Sequence, residues 1–384
     1  MVGNNHFDYI IIGNGLAGLQ LALAFSKDPF FSKKSIGLID PSKKDTNDKT
    51  WSFWETGTSV WDVLSYQSWN KAVVFACDEK INLDLNPYNY KSIRSLDFYN
   101  YSKEVLEEHS NIQFILDEVT SVFEEADLVK IKGKSNNYSA DLVFDSRIPE
   151  AFLQNKKDIP EVMQHFKGYV IKTNQPVFDK GQLTMMDYRL KDGEQTTFTY
   201  VLPYSEQEAL VEFTYFTEHL VEEAVYDSFI TNYITNYLKI ENYTIVETET
   251  GKIPMSTFPF EKFNTRKVIK IGTAGGWVKP SSGYSFKHTE KKVQQIISNL
   301  KNGKPTALNL FRKRYRFYDK VFLRVLKDDN AKGEWIFKQF YAKNKTVHMF
   351  RFLDEESTLM EDMNIILSLI SWPFIKAFFK TLFQ

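Results

Sequence analysis

Residues 7–25 read FDYIIIGNGLAGLQLALAF, and this stretch decides the fold. A short run rich in isoleucine leads into Gly13, Gly15 and Gly18, after which apolar residues recur at helical spacing. A second strand-like segment, SIGLID at 35–40, completes a strand–helix–strand unit. The pattern predicts the first half of a doubly wound, nucleotide-binding fold.

The three glycines have the G-x-G-x-x-G spacing of dinucleotide-binding turns. Such a turn needs glycine where the chain bends tightly, where the backbone approaches a pyrophosphate and where helix and strand pack closely. Leu16 and Ala17 open the helix, whose N-terminal amide groups would face the phosphates. Asp40 ends the next strand, where an acid would hold the ribose hydroxyls.

Composition excludes several classes of protein. The chain has 384 residues, of which 43% are apolar, so it can bury a large core and is expected to form two structural units. Its net charge of −1 gives no broad basic surface, so we expect no nucleic-acid partner. Cys77 is the only cysteine and the histidines lack ligand-like spacing, so we expect neither a disulfide nor a metal site.

The dinucleotide is predicted to be FAD. The glycine motif lies near the start of the chain, and a second glycine-rich turn with Gly272, Gly275 and Gly276 follows a late strand, as is common in flavoproteins. The strand that ends in VFDSR places Asp145 at its end, where it would lie near the flavin. An ordinary strand whose terminal aspartate caps a turn is the alternative for Asp145.

Several further segments occur in a characteristic order. They are DKTWSFWE at 48–55, QHFKGYVIKTNQPVFD at 164–179, MMDYR at 185–189, LPYSEQEALVEFT at 202–214, GKIPM at 251–255, GTAGGWVKPSSGYSF at 272–286 and FRFLDEES at 350–357. Together they resemble the lycopene β-cyclases, bacterial and plant flavoproteins that close the end rings of lycopene. The resemblance runs from about residue 8 to residue 357.

The resemblance implies a fold and a division of the chain. The expected architecture is α/β plus β, like that of the aromatic hydroxylase-like flavoproteins: a Rossmann-type FAD-binding domain interleaved with an antiparallel-sheet substrate domain, and a helical C-terminus. The expected ranges are 1–70, 100–160 and 264–305 for the FAD-binding domain, 71–99 and 161–263 for the substrate domain, and 306–384 for the helical region.

The resemblance also implies a non-redox, acid-catalysed reaction. A ψ end group of lycopene is protonated, an internal double bond attacks the cation, and loss of a proton leaves a β-ionone ring, giving γ-carotene and then β-carotene. Reduced FAD would stabilise the carbocation, and NAD(P)H would be the electron donor. Ser282 and Gly283 in the KPSSGYSF segment would lie beside the cofactor.

Glu212 is the candidate proton donor. An alkene is a very weak base, so its acid must be a carboxyl group that apolar surroundings keep neutral. The matching glutamate is the family's proposed acid, and in a strand Glu212 would share a face with Leu210 and Thr214. A solvated strand position is the alternative. Plant members carry a second acid directly after this glutamate, whereas Phe213 stands here, which leaves any role for paired carboxylates open.

Asp187 and Arg189 in MMDYR are secondary catalytic candidates, although a salt bridge within a strand would explain them equally well. Trp51, Phe53 and Trp54 are candidate substrate-binding residues with Tyr284, because aromatic faces stabilise cations. Core packing is the alternative for these rings.

The C-terminal stretch NIILSLISWPFIKAFFKTLF is interrupted by Pro373, Lys376 and Lys380, so it does not read as a membrane span. It suits an interfacial helix or the rim of a lipid entrance, and a terminal helix docked on the protein is the alternative. The first residues carry no secretion signal. We therefore expect a cytoplasmic protein bound peripherally to the inner face of the membrane, with lycopene and related acyclic carotenes as substrates.

Two other functions fit the same scaffold. A flavin-dependent monooxygenase or polyprenoid reductase would consume one NAD(P)H for each product, whereas a cyclase turns over many substrates per reductant. A non-catalytic lipid carrier would leave the pigment acyclic.

Overall fold

The computed structural model describes residues 5–154, 159 and 161–383. The strands are β1 (His6–Ile12), β2 (Ile36–Asp40), β3 (Thr50–Thr56), β4 (Gln67–Trp69), β5 (Lys71–Ala76), β6 (Glu79–Asp84), β7 (Tyr88–Arg94), β8 (Ile112–Leu116), β9 (Val119–Glu124), β10 (Val129–Gly133), β11 (Asn137–Asp145), β12 (Glu161–Lys172), β13 (Gln182–Asp187), β14 (Thr197–Pro203), β15 (Glu208–Thr217), β16 (Thr244–Ser256) and β17 (Val268–Lys270).

The helices are α1 (Leu16–Lys27), α2 (Ser95–Glu107), α3 (Glu150–Gln154), α4 (Glu223–Asn232), α5 (Phe286–Lys301), α6 (Lys313–Asp328), α7 (Gly333–Lys343), α8 (Thr346–Leu353), α9 (Leu359–Ser368) and α10 (Trp372–Leu382). Helix α4 continues as a π-helical turn over Tyr233–Tyr237.

The first sheet is built around the N-terminal glycine turn. Its strand order is β8–β2–β1–β11–β10–β9, and β17 pairs with β11. Strands β8, β2, β1, β11 and β17 run parallel, whereas β9 and β10 add an antiparallel ribbon. Because β17 joins the sheet more than a hundred residues after β11, late sequence completes the domain that the N-terminus begins.

The second sheet carries the residues of the substrate side. Its order is β16–β12–β15–β14–β13–β5–β6, and the pairs are antiparallel apart from β13 with β5, which run parallel. A smaller antiparallel sheet orders β3–β7–β4 and contributes residues to the cores of both larger sheets. The predicted antiparallel sheet is therefore present, with one parallel pairing that the local strand patterns did not reveal.

The C-terminal helices cover the second sheet. Side chains of α6 and α7 pack in one core with Leu183, Leu202 and Leu210 of this sheet, and α10 packs on α6. The predicted fold class is confirmed: a Rossmann-type sheet, a largely antiparallel second sheet and a helical C-terminus occur in the expected order. The residue limits of the predicted domains remain a prediction. Over the described residues, every helix is too short or too polar to cross a lipid bilayer.

Candidate active site

A cavity of about 740 Å³ connects the three parts of the molecule. One end is formed by the glycine turn before α1, with Gly13, Gly15 and Gly18 on its wall. The middle is formed by β12, β14, β15 and β16, and the far end by α6, α7, α9 and α10. A dinucleotide at the turn and an apolar substrate in the middle would therefore share one continuous space.

Each glycine of the turn is required for a different reason. Gly13 has φ of +102°, and a Cβ there would lie 2.0 Å from Oγ of Ser146. A Cβ at Gly18 would lie 2.0 Å from the carbonyl oxygen of Gly13, so glycine allows the helix to pack on the strand. A Cβ at Gly15 would meet no protein atom within 4 Å, because this position faces the cavity. The first two glycines shape the turn, and Gly15 keeps it open to a ligand.

The turn has the properties of an anion site. Helix α1 begins after Gly15 without a side-chain cap in the described structure, so its first amide groups remain available to phosphate oxygens. Asp40 accepts hydrogen bonds from the backbone N–H groups of Asn14 and Ser42, each at 2.7 Å, and so holds the turn against the end of β2. Its contact with a ribose remains a prediction.

The late glycine-rich segment lies beside the turn, since a Cβ at Gly272 would be 3.2 Å from Cβ of Ala17. Gly272 has φ of +61° and lies on the wall, as do Ser282 and Gly283. Within the described residues, the buried Oγ of Ser282, Oδ1 of Asn14 and Nε1 of Trp277 have no hydrogen-bond partner in the protein. Buried polar atoms are normally satisfied, so these atoms indicate a polar ligand, and they fit the FAD that the sequence predicts.

Four predicted cofactor residues lie away from the cavity wall: Asp40, described above, and Asp145, Gly275 and Gly276. Asp145 is buried and accepts hydrogen bonds from Arg147 and, at 2.8 Å, from Nζ of Lys270. Burial acts to raise the pKa of Asp145, but these two cations hold it below its usual range. Asp145 therefore caps the turn at the end of β11, which was the alternative to a position near the flavin. Its neighbour Ser146 lies on the cavity wall. Gly275 and Gly276 pack inside the protein. A Cβ at Gly275 would meet the backbone of Lys270, and a Cβ at Gly276 would meet the ring of Phe260.

Glu212 lies on β15 and faces the cavity. Only 7% of its surface is exposed, and Oε1 accepts a hydrogen bond of 2.7 Å from the hydroxyl of Thr214. Alternation along the strand places Leu210 on the same side, whereas Val211 and Phe213 pack in a separate core with α4. The strand therefore presents the carboxyl group in the way the sequence pattern predicted.

A second carboxyl group, Glu249 on β16, lies on the same wall. The register pairs Gly168 of β12 with Glu212 on one side and with Glu249 on the other. Paired positions point to one face of a sheet, and glycine leaves the space between the two acids empty. A Cβ at Gly168 would lie 2.9 Å from a methyl group of Leu210 and 3.2 Å from Cβ of Glu212. The missing side chain lets both carboxyl groups converge over β12.

Both carboxyl groups hold protons more tightly than exposed glutamates. Burial is the largest cause of the raised pKa of Glu212, and the nearby charge of Glu249 adds to it. Burial likewise raises the pKa of Glu249 to about 7, although the hydroxyl of Thr50, which donates to it at 2.7 Å, acts in the opposite direction. A hydrogen bond between the carboxyl groups favours the proton on Glu212. At neutral pH, Glu212 is thus a neutral acid next to a partly ionised partner.

Tyrosine hydroxyls line the cavity next to the acids. Tyr200 is paired in register with Glu212, and its hydroxyl donates to that of Tyr90 at 2.7 Å. The hydroxyls of Tyr90 and Tyr284 are 2.9 Å apart. Burial raises the pKa of all three tyrosines, so they remain neutral and their rings provide aromatic faces without introducing charge.

The predicted aromatic cluster is divided between the cavity and the core. Trp51 lies on the cavity wall, as does Tyr284. Phe53 instead stacks on Phe286 at 4.4 Å, and Trp54 stacks on Phe350 at 4.5 Å. Alternation along β3 therefore places Phe53 and Trp54 in the two cores that flank the strand, as the core-packing alternative expected, and a substrate contact for them remains a prediction.

Asp187 and Arg189 also lie away from the cavity wall. Asp187 is fully buried at the end of β13 and accepts hydrogen bonds from Nη2 of Arg189 at 2.5 Å and from the hydroxyl of Tyr233 at 2.6 Å. The guanidinium group of Arg189 lies 3.9 Å from the centre of the Phe75 ring. The pair ties the second sheet to the π-helical turn after α4, as the salt-bridge alternative expected, and a catalytic role for it remains a prediction.

We expect the change Asp187→Ala to lower the free energy of unfolding by about 2 kcal/mol. It leaves the buried hydroxyl of Tyr233 without an acceptor, while partial exposure of Arg189 to water limits the cost. Denaturant unfolding measures the change, and Asp141→Ala on the surface is the control, expected within about 0.5 kcal/mol of the wild type. Equal stability of both variants would contradict the structural role.

The far end of the cavity opens among exposed apolar side chains. Ile370, Ile375, Phe378 and Phe379 lie both on the cavity wall and at the protein surface. We call these four residues, with their exposed neighbours Trp372, Leu382 and Phe383, the entrance patch. The cavity thus leads from the glycine turn, past the two carboxyl groups, to an apolar surface.

Comparison with known protein sequences gives a family match and relatives from plants. A family model described as lycopene cyclase protein matches residues 8–379. Chloroplastic neoxanthin synthase of Solanum tuberosum is 25% identical over 305 residues, which are 73% of this chain and 58% of that protein. Chromoplastic capsanthin/capsorubin synthase of Capsicum annuum is 25% identical over 301 residues, 72% of this chain and 57% of that protein. The chain thus spans less than two thirds of the length of these relatives.

Solved structures share the fold at low sequence identity. A geranylgeranyl bacteriochlorophyll reductase-like protein from Thermoplasma acidophilum has a TM-score of 0.61 at 12% identity, covering 98% of this chain and 99% of that one. The flavin-dependent brominase Bmp2 has a TM-score of 0.60 at 14% identity, covering 98% of each chain. These likenesses concern the architecture, while the family match spans the glycine turn, Glu212 and the C-terminal helices. The chain belongs to the lycopene cyclase family.

Proposed function

We propose that this protein is a FAD-dependent lycopene β-cyclase that converts the ψ end groups of lycopene to β-ionone rings, giving γ-carotene and then β-carotene without net redox change. One observation carries the proposal: Glu212, a buried carboxyl group with a raised pKa, faces a largely apolar cavity that also contains the dinucleotide turn. Burial keeps such a carboxyl group neutral so that it can act as a general acid, and the apolar cavity fits a hydrocarbon as the group that receives the proton.

The proposed reaction begins with proton transfer from Glu212 to the terminal double bond of the end group. The internal double bond then attacks the tertiary cation, and loss of a ring proton forms the new double bond. The apolar wall around Glu212 excludes water, which would otherwise capture the cation. Trp51, Tyr200 and Tyr284 present aromatic faces to the same space, and each face stabilises a nearby cation by about 0.5–2 kcal/mol.

The cofactor residues are proposed from the shape of the cavity. The turn at Gly13–Gly18 and the start of α1 would hold the pyrophosphate, and Gly272, Ser282 and Gly283 would border the ring system. FAD in its reduced form would supply negative charge that stabilises the carbocation, with NAD(P)H as the electron donor that keeps it reduced.

The entrance patch supports peripheral binding to a membrane. Lycopene dissolves in lipid rather than in water, and the cavity opens at this apolar surface. Trp372 is 74% exposed, and Lys376 and Lys380 lie one helical turn apart on α10, where they would meet anionic headgroups. We propose that α9 and α10 rest on the inner face of the membrane and receive the substrate there.

We expect the double change Trp372→Glu and Phe383→Glu to lower partition onto anionic vesicles by at least about 100-fold. Each substitution replaces apolar area worth about 1.5–3 kcal/mol with a charge that anionic lipid repels. Co-sedimentation with phosphatidylglycerol-containing vesicles measures the change. The control is Phe123→Glu on β9, which alters another exposed ring, in the first sheet, and is expected to bind as the wild type does. If the double variant binds the vesicles as tightly as the wild type, the entrance patch does not bind the membrane.

Pigment analysis with reductant accounting tests the proposed function. Wild-type protein is incubated with FAD, lycopene and limiting NAD(P)H. We expect the number of rings formed to exceed the number of NAD(P)H molecules oxidised. One NAD(P)H consumed for each product would indicate a monooxygenase or reductase. Lycopene that stays acyclic while bound to the protein would indicate a carrier.

A further inference from the structure

The arrangement of Glu212 and Glu249 over Gly168 suggests more than a single acid. A cyclisation must deliver one proton and remove another within the same ring, at two carbons separated by a single atom. The proposed function assigns a donor for the first proton but no acceptor for the second. Glu249 lies on the same cavity wall as Glu212 and is held in place by a hydrogen bond from Thr50.

We propose that Glu212 and Glu249 form a carboxyl pair that shares one proton, with Glu212 as the acid and Glu249 as the base that removes the ring proton. This inference rests on the proposed function and extends it. The geometry that carries it is the row Tyr200–Glu212–Gly168–Glu249 across β14, β15, β12 and β16. Glycine in the third position is what brings the flanking acids together.

The proton and electron balance of the cycle closes within the pair. The O–H bond of Glu212 breaks, and the π electrons of the terminal double bond form a C–H bond at its CH carbon, which leaves the positive charge on the carbon that bears two methyl groups. The electron pair of the internal double bond closes the ring and leaves a cation inside it. The adjacent C–H bond breaks, its electrons form the ring double bond, and its proton joins the carboxylate of Glu249. Transfer of this proton through the bond between the two carboxyl groups restores Glu212. No electrons leave the substrate.

Repulsion supports the return of the proton. When Glu212 has given its proton away, two carboxylates face each other in a buried site, which is unfavourable because like charges at short range cannot both be ionised cheaply. The ionised pair is therefore a strong base at the moment when a proton must be removed. A lone glutamate would lack this added driving force.

The charged and titratable groups around the pair are few. Those that face it are Arg94 and Tyr90 from β7, Tyr200 from β14, Tyr204 after β14, Glu247 from β16 and Tyr284 before α5. Arg94 is paired with Glu247, and burial raises the pKa of the tyrosines. The part of the pH profile that changes when Glu212 or Glu249 is replaced therefore reports the carboxyl pair.

The first test is the pH profile of kcat for cyclisation. The wild type is expected to show a bell-shaped profile, since the active pair holds one proton. The value of kcat falls at low pH as Glu249 becomes protonated and at high pH as Glu212 loses its proton. In Glu249→Gln the acidic limb should vanish and the basic limb should move to lower pH, because Glu212 loses a negative neighbour. The maximal rate should fall by about 100-fold, the size of a missing general base.

Two further variants separate catalysis from structure. Thr50→Val removes the donor that lowers the pKa of Glu249, so the acidic limb should move to higher pH while both carboxyl groups remain. Glu208→Gln is the matched control, because it makes the same acid-to-amide change near the solvent end of β15. Its profile should equal that of the wild type.

A second readout does not depend on turnover. Infrared titration of the purified flavoprotein, compared with Glu212→Gln and Glu249→Gln, should show one protonated carboxyl band at neutral pH that shifts when either partner is replaced. If the carboxyl band stays at the same frequency in Glu249→Gln, or if the pH profile of that variant is unchanged, the two glutamates do not share a proton. The cyclase proposal would remain intact. A shared proton in a wild type that forms no cyclic product would instead support the pair and refute the proposed function.

Discussion

Replacing Glu212 by glutamine is expected to lower the rate of lycopene cyclisation by about 10²- to 10⁴-fold, the usual contribution of a general acid. The amide has nearly the same shape as the carboxyl group and can still accept the hydrogen bond from Thr214, so the fold should be retained. An amide cannot release a proton to an alkene. The loss should therefore appear in kcat, measured anaerobically with reduced FAD and followed by pigment chromatography.

The flavin spectrum and the thermal midpoint provide the control for this change. Both should stay close to those of the wild type, because Glu212 lies in the second sheet and not in the glycine turn. A variant that cyclises lycopene at a near-normal rate would remove Glu212 from its role. An equal loss in Glu208→Gln would show that the amide change disturbs β15 itself.

The change Gly15→Val is expected to weaken FAD binding by at least about 100-fold, or about 2.7 kcal/mol. A Cβ at this position meets no protein atom within 4 Å, and the backbone has a negative φ that valine accepts, so the protein should fold. The added side chain would occupy the place where the backbone approaches the pyrophosphate. Fluorescence titration with FAD measures the loss, and thermal unfolding of the apoprotein checks the fold.

Two companion variants make this prediction specific. Gly18→Val should destabilise the protein itself, since a Cβ there would overlap the carbonyl oxygen of Gly13. Gly181→Ala, outside the cavity wall, should change neither property. If Gly15→Val binds FAD as tightly as the wild type, the pyrophosphate does not lie at the turn, and the orientation of the cofactor in our account is wrong.

Local sequence patterns predicted the elements on which the site is built. The glycine spacing after β1 determines a turn because steric overlap at Gly13 and Gly18 leaves no other residue type. Alternation along β15 determines which side chains share a face with Glu212. Both inferences depend on residues close together in the chain, and the structure agrees with each of them.

Such local patterns do not predict contacts between side chains that are far apart in the sequence. Asp145 was a candidate because it ends a strand, and Asp187 because it is an acid in the MMDYR segment. Lys270 contacts the first and Tyr233 the second from other parts of the chain. Phe53 and Trp54 likewise became core residues because Phe286 and Phe350 face them. Sequence reveals the type of a side chain, whereas its partner decides its role.

Glu249 was missed for the same reason. It lies in the run ETETGKIPM, whose alternating acids and threonines are typical of a solvated strand. Its carboxyl group is buried only because Gly168, far earlier in the chain, provides space for it beside Glu212. A glycine inside the otherwise strand-like HFKGYVIK was the available signal, since such a glycine often marks a close approach.

A single-turnover incubation in deuterated buffer tests the central claim most directly. Protein in excess, loaded with chemically reduced FAD and kept anaerobic, is mixed with lycopene, and the pigment is analysed by mass spectrometry. Our account predicts one deuterium in the first ring that forms, because the acid that protonates the end group has exchanged with solvent beforehand. Cyclic product without deuterium, or a product with the mass of a reduced or hydroxylated carotene, would contradict it.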